Sequence, residues 1–174
     1  MTRDEFRTLY EYNDWANNRL AEMLTNVFGE ETDLRAASDA RVRALQEAAV
    51  HIIAAQAVWR ERWEGRSPKA RLAPEEYPTP LALRMAFGAE RARFWGFFDT
   101  LQQDSDLLRV VHSTSFAGDP LLFPLWQMMQ HVVTDSAYHR GQVTGRLLDL
   151  GHEDALLPTD LIAFYQLRNQ SLST

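Results

Sequence analysis

Four stretches, near residues 3–28, 39–64, 80–103 and 120–150, carry apolar residues at three- and four-residue intervals. That spacing builds one face of an α-helix, and no strand-like alternation of comparable length competes with it. In the first stretch Phe6, Leu9, Ala16, Leu20, Met23, Leu24 and Val27 share such a face. Thr2 stands three residues before Glu5, the spacing of a capping box, and Gly29 supplies a stop. Ser38 or Asp39 caps the second stretch, which is apolar nearly all round at its middle and extends to Trp63, just before Gly65. Prolines at 68, 74 and 78 interrupt the chain before Thr79–Pro80 opens the third stretch. Asp119–Pro120 is read as the opening of the fourth, and Gly151 as its stop. VVHSTSFAG, residues 110–118, predicts two short extended pieces or an irregular excursion before helix four. A short helix from about Asp160 to Arg168 closes the chain. The expected fold is all-α, an antiparallel four-helix bundle forming a single domain over residues 1–174.

A chain of 174 residues buries roughly 68–70% of its surface on folding, so its core needs no covalent staple. There are no cysteines, which excludes a disulfide scaffold, a thiolate metal site and a cysteine nucleophile. Eighteen basic residues, Lys69 the only lysine, face 24 acidic ones. A net charge of −6 has the wrong sign for a nucleic-acid binder, which must displace counterions from phosphates. The most apolar run, Ala48 to Trp59, is broken by His51 and Gln56 and is far shorter than the roughly 20 residues that span a bilayer. The N-terminal MTRDEFRTLYEY lacks a signal-peptide core. A cytoplasmic protein with neither a membrane nor a nucleic-acid partner is expected.

Chemistry concentrates in the histidines. His112 and His152 fall in or beside turns and read as solvated. His51 shares a helix face with Ala44, Ala48, Ala55 and Val58, so its ring nitrogens need a partner, a core hydrogen bond or a ligand. On the fourth helix His131, Asp135 and His139 recur every four residues and form one stripe, flanked inward by Leu125, Met128 and Val132. Two histidines and a carboxylate, with one ligand from another helix, make a facial metal site with open positions. The competing reading is a buried Asp135–His139 ion pair hydrogen-bonded to the second helix. Gly141 and Gly145, four apart within a helix, predict close approach by another helix. Arg140 and Gln142 either orient a substrate carboxylate or bond to neighbouring helices. Trp15, Trp59 and Trp63 read as core or interface.

YNDWANNRL from Tyr12, HIIAAQAVWR from His51, and QHVVTDSAYHRGQV from Gln130 together resemble the DinB family, in order and in separation. GHED from Gly151 and TDLIAFY from Thr159 extend the likeness over nearly the whole chain. The resemblance implies a DinB/YfiT-like four-helix bundle, often a homodimer, holding a divalent metal near one end. Carried over by position, the ligands are His51, Asp135 and His139. Asp135 departs from the family pattern, which usually has histidine there. An aspartate still ligates zinc, nickel, iron or manganese, and it moves preference toward harder ions. His131, one turn earlier, becomes an alternative ligand, a supporting partner or a proton-transfer group.

The resemblance therefore implies a metal-dependent enzyme, a thiol transferase or hydrolase acting on a small molecule, with a low-molecular-weight thiol as a second cofactor. The alternative is a noncatalytic, stress-associated protein that binds a small ligand with structural metal or none. A bundle acting only through protein contacts leaves the polar stripe unexplained. Together with the resemblance, a surplus of large aromatics, including Trp15, Trp126 and Tyr138, predicts a homodimer that buries parts of the first and fourth helices.

Overall fold

Local capping chemistry sets most helix boundaries in the computed structural model, which describes residues 1–171. Helix α1 (Arg3–Phe28) starts on a complete capping box. The Thr2 hydroxyl accepts the Glu5 N–H at 3.2 Å, and the Glu5 carboxylate accepts the Thr2 N–H at 2.7 Å. Two donors that a helix start leaves unpaired are thereby satisfied. Asp39 caps α2 (Ala40–Trp63) by accepting the Arg41 N–H at 2.8 Å. Thr79 and Pro80 open α3 (Pro80–Phe98) as expected. Helix α3 stops at Phe98, short of Gln103, because the Asp106 carboxylate accepts the N–H groups of Gln102 and Gln103 at 2.7 and 3.0 Å. Those bonds turn the chain into a short 3-10 segment, Asp104–Leu108.

The larger correction concerns residues 110–124. Strands β1 (Val110–Thr114) and β2 (Pro120–Pro124) pair antiparallel, with Val110 opposite Pro124 and Thr114 opposite Pro120. The fourth helix therefore does not open at Asp119–Pro120: α4 spans Leu125–Asp149. Pro124 is the reason. Inside a helix begun at residue 120 it would lack its hydrogen bond and clash with the preceding turn, a cost of about 3 kcal/mol. It also biases Phe123 toward extended backbone, which suits a strand. The Ser115 hydroxyl accepts the Ala117 and Asp119 N–H groups at 3.1 and 3.0 Å, and Gly118 takes φ 93° to complete the turn. The chain ends in α5 (Leu161–Ser171), where the terminal helix is expected.

Helix α2 packs on α4 and α3, α1 on α3 and α4, and the hairpin on α2 and α4. Two apolar clusters result. One holds Phe6, Tyr10, Trp63, Phe94, Phe98 and Met129, the other Leu20, Leu24, Leu45, Ile52, Leu83 and Leu147. Helices α1 to α4 contribute to both. At the boundary between the clusters lie polar residues: Asn13 and Asn17 of α1, Gln56 of α2, and Ser136 and Arg140 of α4. Gly141 and Gly145 do not mark a helix crossing, since a Cβ at either would meet nothing within 4 Å. Nothing in the packing explains that pair. No helix among the described residues is long and apolar enough to cross a membrane.

Asp14 ties α1 to α3. It accepts the Trp95 Nε1–H at 2.9 Å and lies 3.3 Å from Arg91 Nε. Its side chain is only 12% exposed, and burial pushes its pKa up to about 6 from 3.8 despite those partners. In the window between these values the folded state holds more protons than the unfolded chain, so stability falls as pH rises from 4 to 6. The shift corresponds to about 3 kcal/mol at neutral pH. Asp14→Asn keeps an acceptor for Trp95 and removes the charge. It is expected to raise the urea midpoint at pH 7.5 and to flatten the dependence between pH 4 and 6; an unchanged pH profile would contradict this account.

Candidate metal centre

Helix α4 presents His131, Asp135 and His139 on successive turns, and its packing on α2 divides the stripe. Asp135 and His139 meet His51 of α2; His131 does not. His51 Nε2 lies 3.8 Å from Asp135 Oδ2, and His139 Nε2 lies 3.7 Å from Asp135 Oδ1. One donor atom from each of the three falls within 4.8 Å of the others. Tetrahedral donors bonded to zinc at roughly 2.1 Å stand about 3.4 Å apart, so small side-chain adjustments bring the group to bonding geometry.

Asp135 is the residue on which the fit of a metal turns. Both Asp135–histidine separations exceed hydrogen-bonding range. Asp135 Oδ2 is buried and has no hydrogen-bond partner. Leaving such an atom unpaired costs about 1–3 kcal/mol, more when it is charged. A cation between Asp135 and the imidazoles removes that penalty, so the donor set fits a divalent ion. Asp135 thus stands within ion-pair distance of both histidines, the contact of the competing reading, but without the hydrogen bonds that reading expects.

The imidazoles are prepared in two ways. His139 Nδ1 lies 3.0 Å from Gln142 Oε1. With that amide oxygen accepting, Nδ1 carries the proton and Nε2 keeps its lone pair toward Asp135. The His51 and His139 rings are 4.0 Å apart between centroids. Burial lowers the His51 pKa, His139 and Arg71 lower it further, and Asp135 opposes them. For His51 the neutral imidazole, the form that ligates, is therefore favoured.

A cavity of about 460 Å³ opens beside His51 and Asp135. Ala55, Val58 and Trp59 of α2 form one wall, and Phe116 of the hairpin turn forms another. His131 stands exposed on this cavity, its ring 4.9 Å from Trp59 and edge-on to it. It lies outside the three-residue group. His112 is exposed on β1, and His152 is only part-exposed, packed against Phe28, so neither joins the centre.

Arg140 is no substrate anchor. It is 1% exposed and donates to Asn13 Oδ1, Asn17 Oδ1 and Tyr12 Oη at 2.8, 2.7 and 3.1 Å. Tyr12 in turn donates to the Thr159 carbonyl. Tyr12, Asn13 and Asn17 of α1 thus lock onto Arg140 of α4, the residue that follows His139.

Residues 1–168 match the model of the DinB family. The chain belongs to the DinB family. No curated protein and no solved structure matches it. The DinB match runs from α1 into α5 and includes every residue of the centre. Gln142 escaped a firm role in the sequence, although its place three residues after His139 is the local signal for it. No local signal marks Arg62, Arg71 and Phe116 as cavity residues, because they come from a helix, a loop and a hairpin turn.

Proposed function

We propose that this DinB-family protein is a metal-dependent enzyme acting on a small molecule, of the thiol-transferase or hydrolase type. His51, Asp135 and His139 hold the ion, and zinc, nickel, iron and manganese all suit two imidazoles and a carboxylate. The observation that carries this reading is the unpartnered, buried Asp135 Oδ2 between two histidines. A bound divalent ion supplies Lewis acidity, lowering the pKa of a thiol or water held beside it. The protein's own contribution is orientation: Gln142 sets the His139 tautomer, and the apolar cavity wall seats the substrate away from water. His131, on the cavity's exposed side, is placed for proton transfer with solvent. The low-molecular-weight thiol enters this scheme as second substrate.

The same reading takes residues 1–174 as one cytoplasmic domain and its four long helices as an antiparallel bundle. It also takes the protein as a homodimer using α1 and α4. Of the three aromatics that motivate the dimer, Trp15 and Trp126 are partly buried against this chain's own core. Tyr138 is 66% exposed on α4. Light scattering is expected to give about twice the 20.0 kDa chain mass, and a value near one chain mass overturns the dimer.

Function is tested with zinc-loaded protein, a low-molecular-weight thiol and electrophilic or ester substrates. The expected result is thiol conjugation or hydrolysis that His139→Ala abolishes. Ligand binding without turnover in either assay would support the noncatalytic small-ligand-binding alternative instead.

A further inference from the structure

The cavity beside the metal centre holds two arginines, and the acid that lines it, Asp135, stands against His51 and His139 instead of pairing with either of them. Arg62, on α2, is 4% exposed, and its Nε is buried without a hydrogen-bond partner. Its guanidinium lies over the Trp59 ring at 4.6 Å and the Phe116 ring at 5.3 Å. Arg71, exposed in the segment after α2, also lies over Phe116, at 4.9 Å. Both line the cavity that His51 and Asp135 close at its inner end. Among the described residues neither forms an ion pair. The other interior arginines differ: Arg60 pairs with Glu90 and Glu64, and Arg140 is surrounded by acceptors. Arg62 is held over aromatic rings with its Nε donor unused. Burial and the neighbouring Arg71 charge push its pKa down.

We infer that Arg62 and Arg71 form an anion subsite, and that the ligand of this cavity is a small organic acid. Its carboxylate sits on the guanidinium groups, its apolar body lies along Val58, Trp59 and Phe116, and its far end reaches the His51–Asp135 end. A planar guanidinium matches a carboxylate in a two-bond fork, and a low-dielectric wall strengthens that contact. The α2 positions 51 and 62 are eleven residues apart, about 16 Å along the axis. The arginine side chain tilts back toward the helix N-terminus and shortens that gap. A volume of about 460 Å³ lies within the range of small-molecule sites. That the far end of the acid is the reacting end rests on the proposed metal-centre function. The anion subsite itself does not.

Calorimetric titration of chelator-treated, metal-free protein with hexanoate and with hexanamide separates the two ideas. Hexanoate is expected to bind at least about tenfold more tightly than hexanamide, because only the carboxylate engages the guanidinium fork. Arg71→Met, at an exposed position where the fold is not at risk, should remove most of that preference, and Arg62→Met should do the same. Equal binding of the acid and the amide, or a preference that survives Arg71→Met, overturns the subsite. So does hexanoate binding that appears only with zinc added and is lost in His139→Ala, since the carboxylate would then sit on the metal. An arginine-dependent preference in a protein that takes up no zinc upholds the subsite and removes the metal-centre reading alone.

Discussion

Zinc affinity is expected to fall by at least about a hundredfold in His139→Ala, and by a similar factor in Asp135→Ala. Supporting hydrogen-bond partners of ligating histidines are themselves worth roughly 10–100-fold in affinity, so loss of a ligand weighs more. In the proposed centre His51 contributes one nitrogen from α2, and α4 contributes the remaining donors. Removing either α4 ligand leaves two donors, too few to hold the ion against water. Gln142→Leu tests the tautomer. It leaves all three ligands in place but removes the acceptor 3.0 Å from His139 Nδ1, and a loss of about 10–100-fold is expected. Affinity in every variant should weaken as pH falls, because ligating imidazoles must lose their protons. Competition titration with a chromophoric chelator measures each value. Equal zinc affinity in the parent and in His139→Ala would end the assignment.

Arg140→Met is expected to destabilise the fold by about 2–6 kcal/mol, roughly 1–3 kcal/mol for each of the two buried acceptors it leaves unpaired. Arg140 lies at the boundary between the two apolar clusters and keeps its charge through dipoles alone. It donates to two asparagine oxygens and a tyrosine oxygen, and its guanidinium lies 5.4 Å from the Tyr12 ring centroid. Methionine fills much of the volume and strands Asn13 Oδ1 and Asn17 Oδ1 without their donor in a buried layer. Those stranded acceptors, rather than lost packing, dominate the effect. Urea denaturation should show a lower midpoint at unchanged slope. A loss below about 1 kcal/mol would mean that the asparagines find other partners and that the lock is not structural.

Where helices begin and end was largely written locally. Thr2 with Glu5, Asp39, and Thr79 with Pro80 cap their helices through bonds spanning only a few residues. A window of sequence contains all of that physics. Pro124 is equally local, yet the Asp119–Pro120 start signal outweighs it in the sequence, and the second strand of the hairpin reads as helix as a result. The correct boundary needed the pairing of Val110 with Pro124, a contact 14 residues apart that no cap reports.

The centre divides along the same line. By itself the sequence determined that α4 carries ligand-type residues at four-residue spacing, because helix geometry alone sets i to i+4 on one face. It determined too, through three ordered motifs, the family to which the chain belongs. Spacing alone leaves open which two of His131, Asp135 and His139 face His51, since that depends on how α4 is rotated against α2. The family resemblance points to Asp135 and His139, and the tertiary structure brings those two together with His51. Only the tertiary structure turned Arg140 inward to Asn13 and Asn17, more than 120 residues away, instead of toward a ligand. It also placed Arg62, Arg71 and Phe116 around one cavity. Helical periodicity is a property of neighbours along the chain, whereas a buried charge without a counterion exists only once distant segments have closed over it.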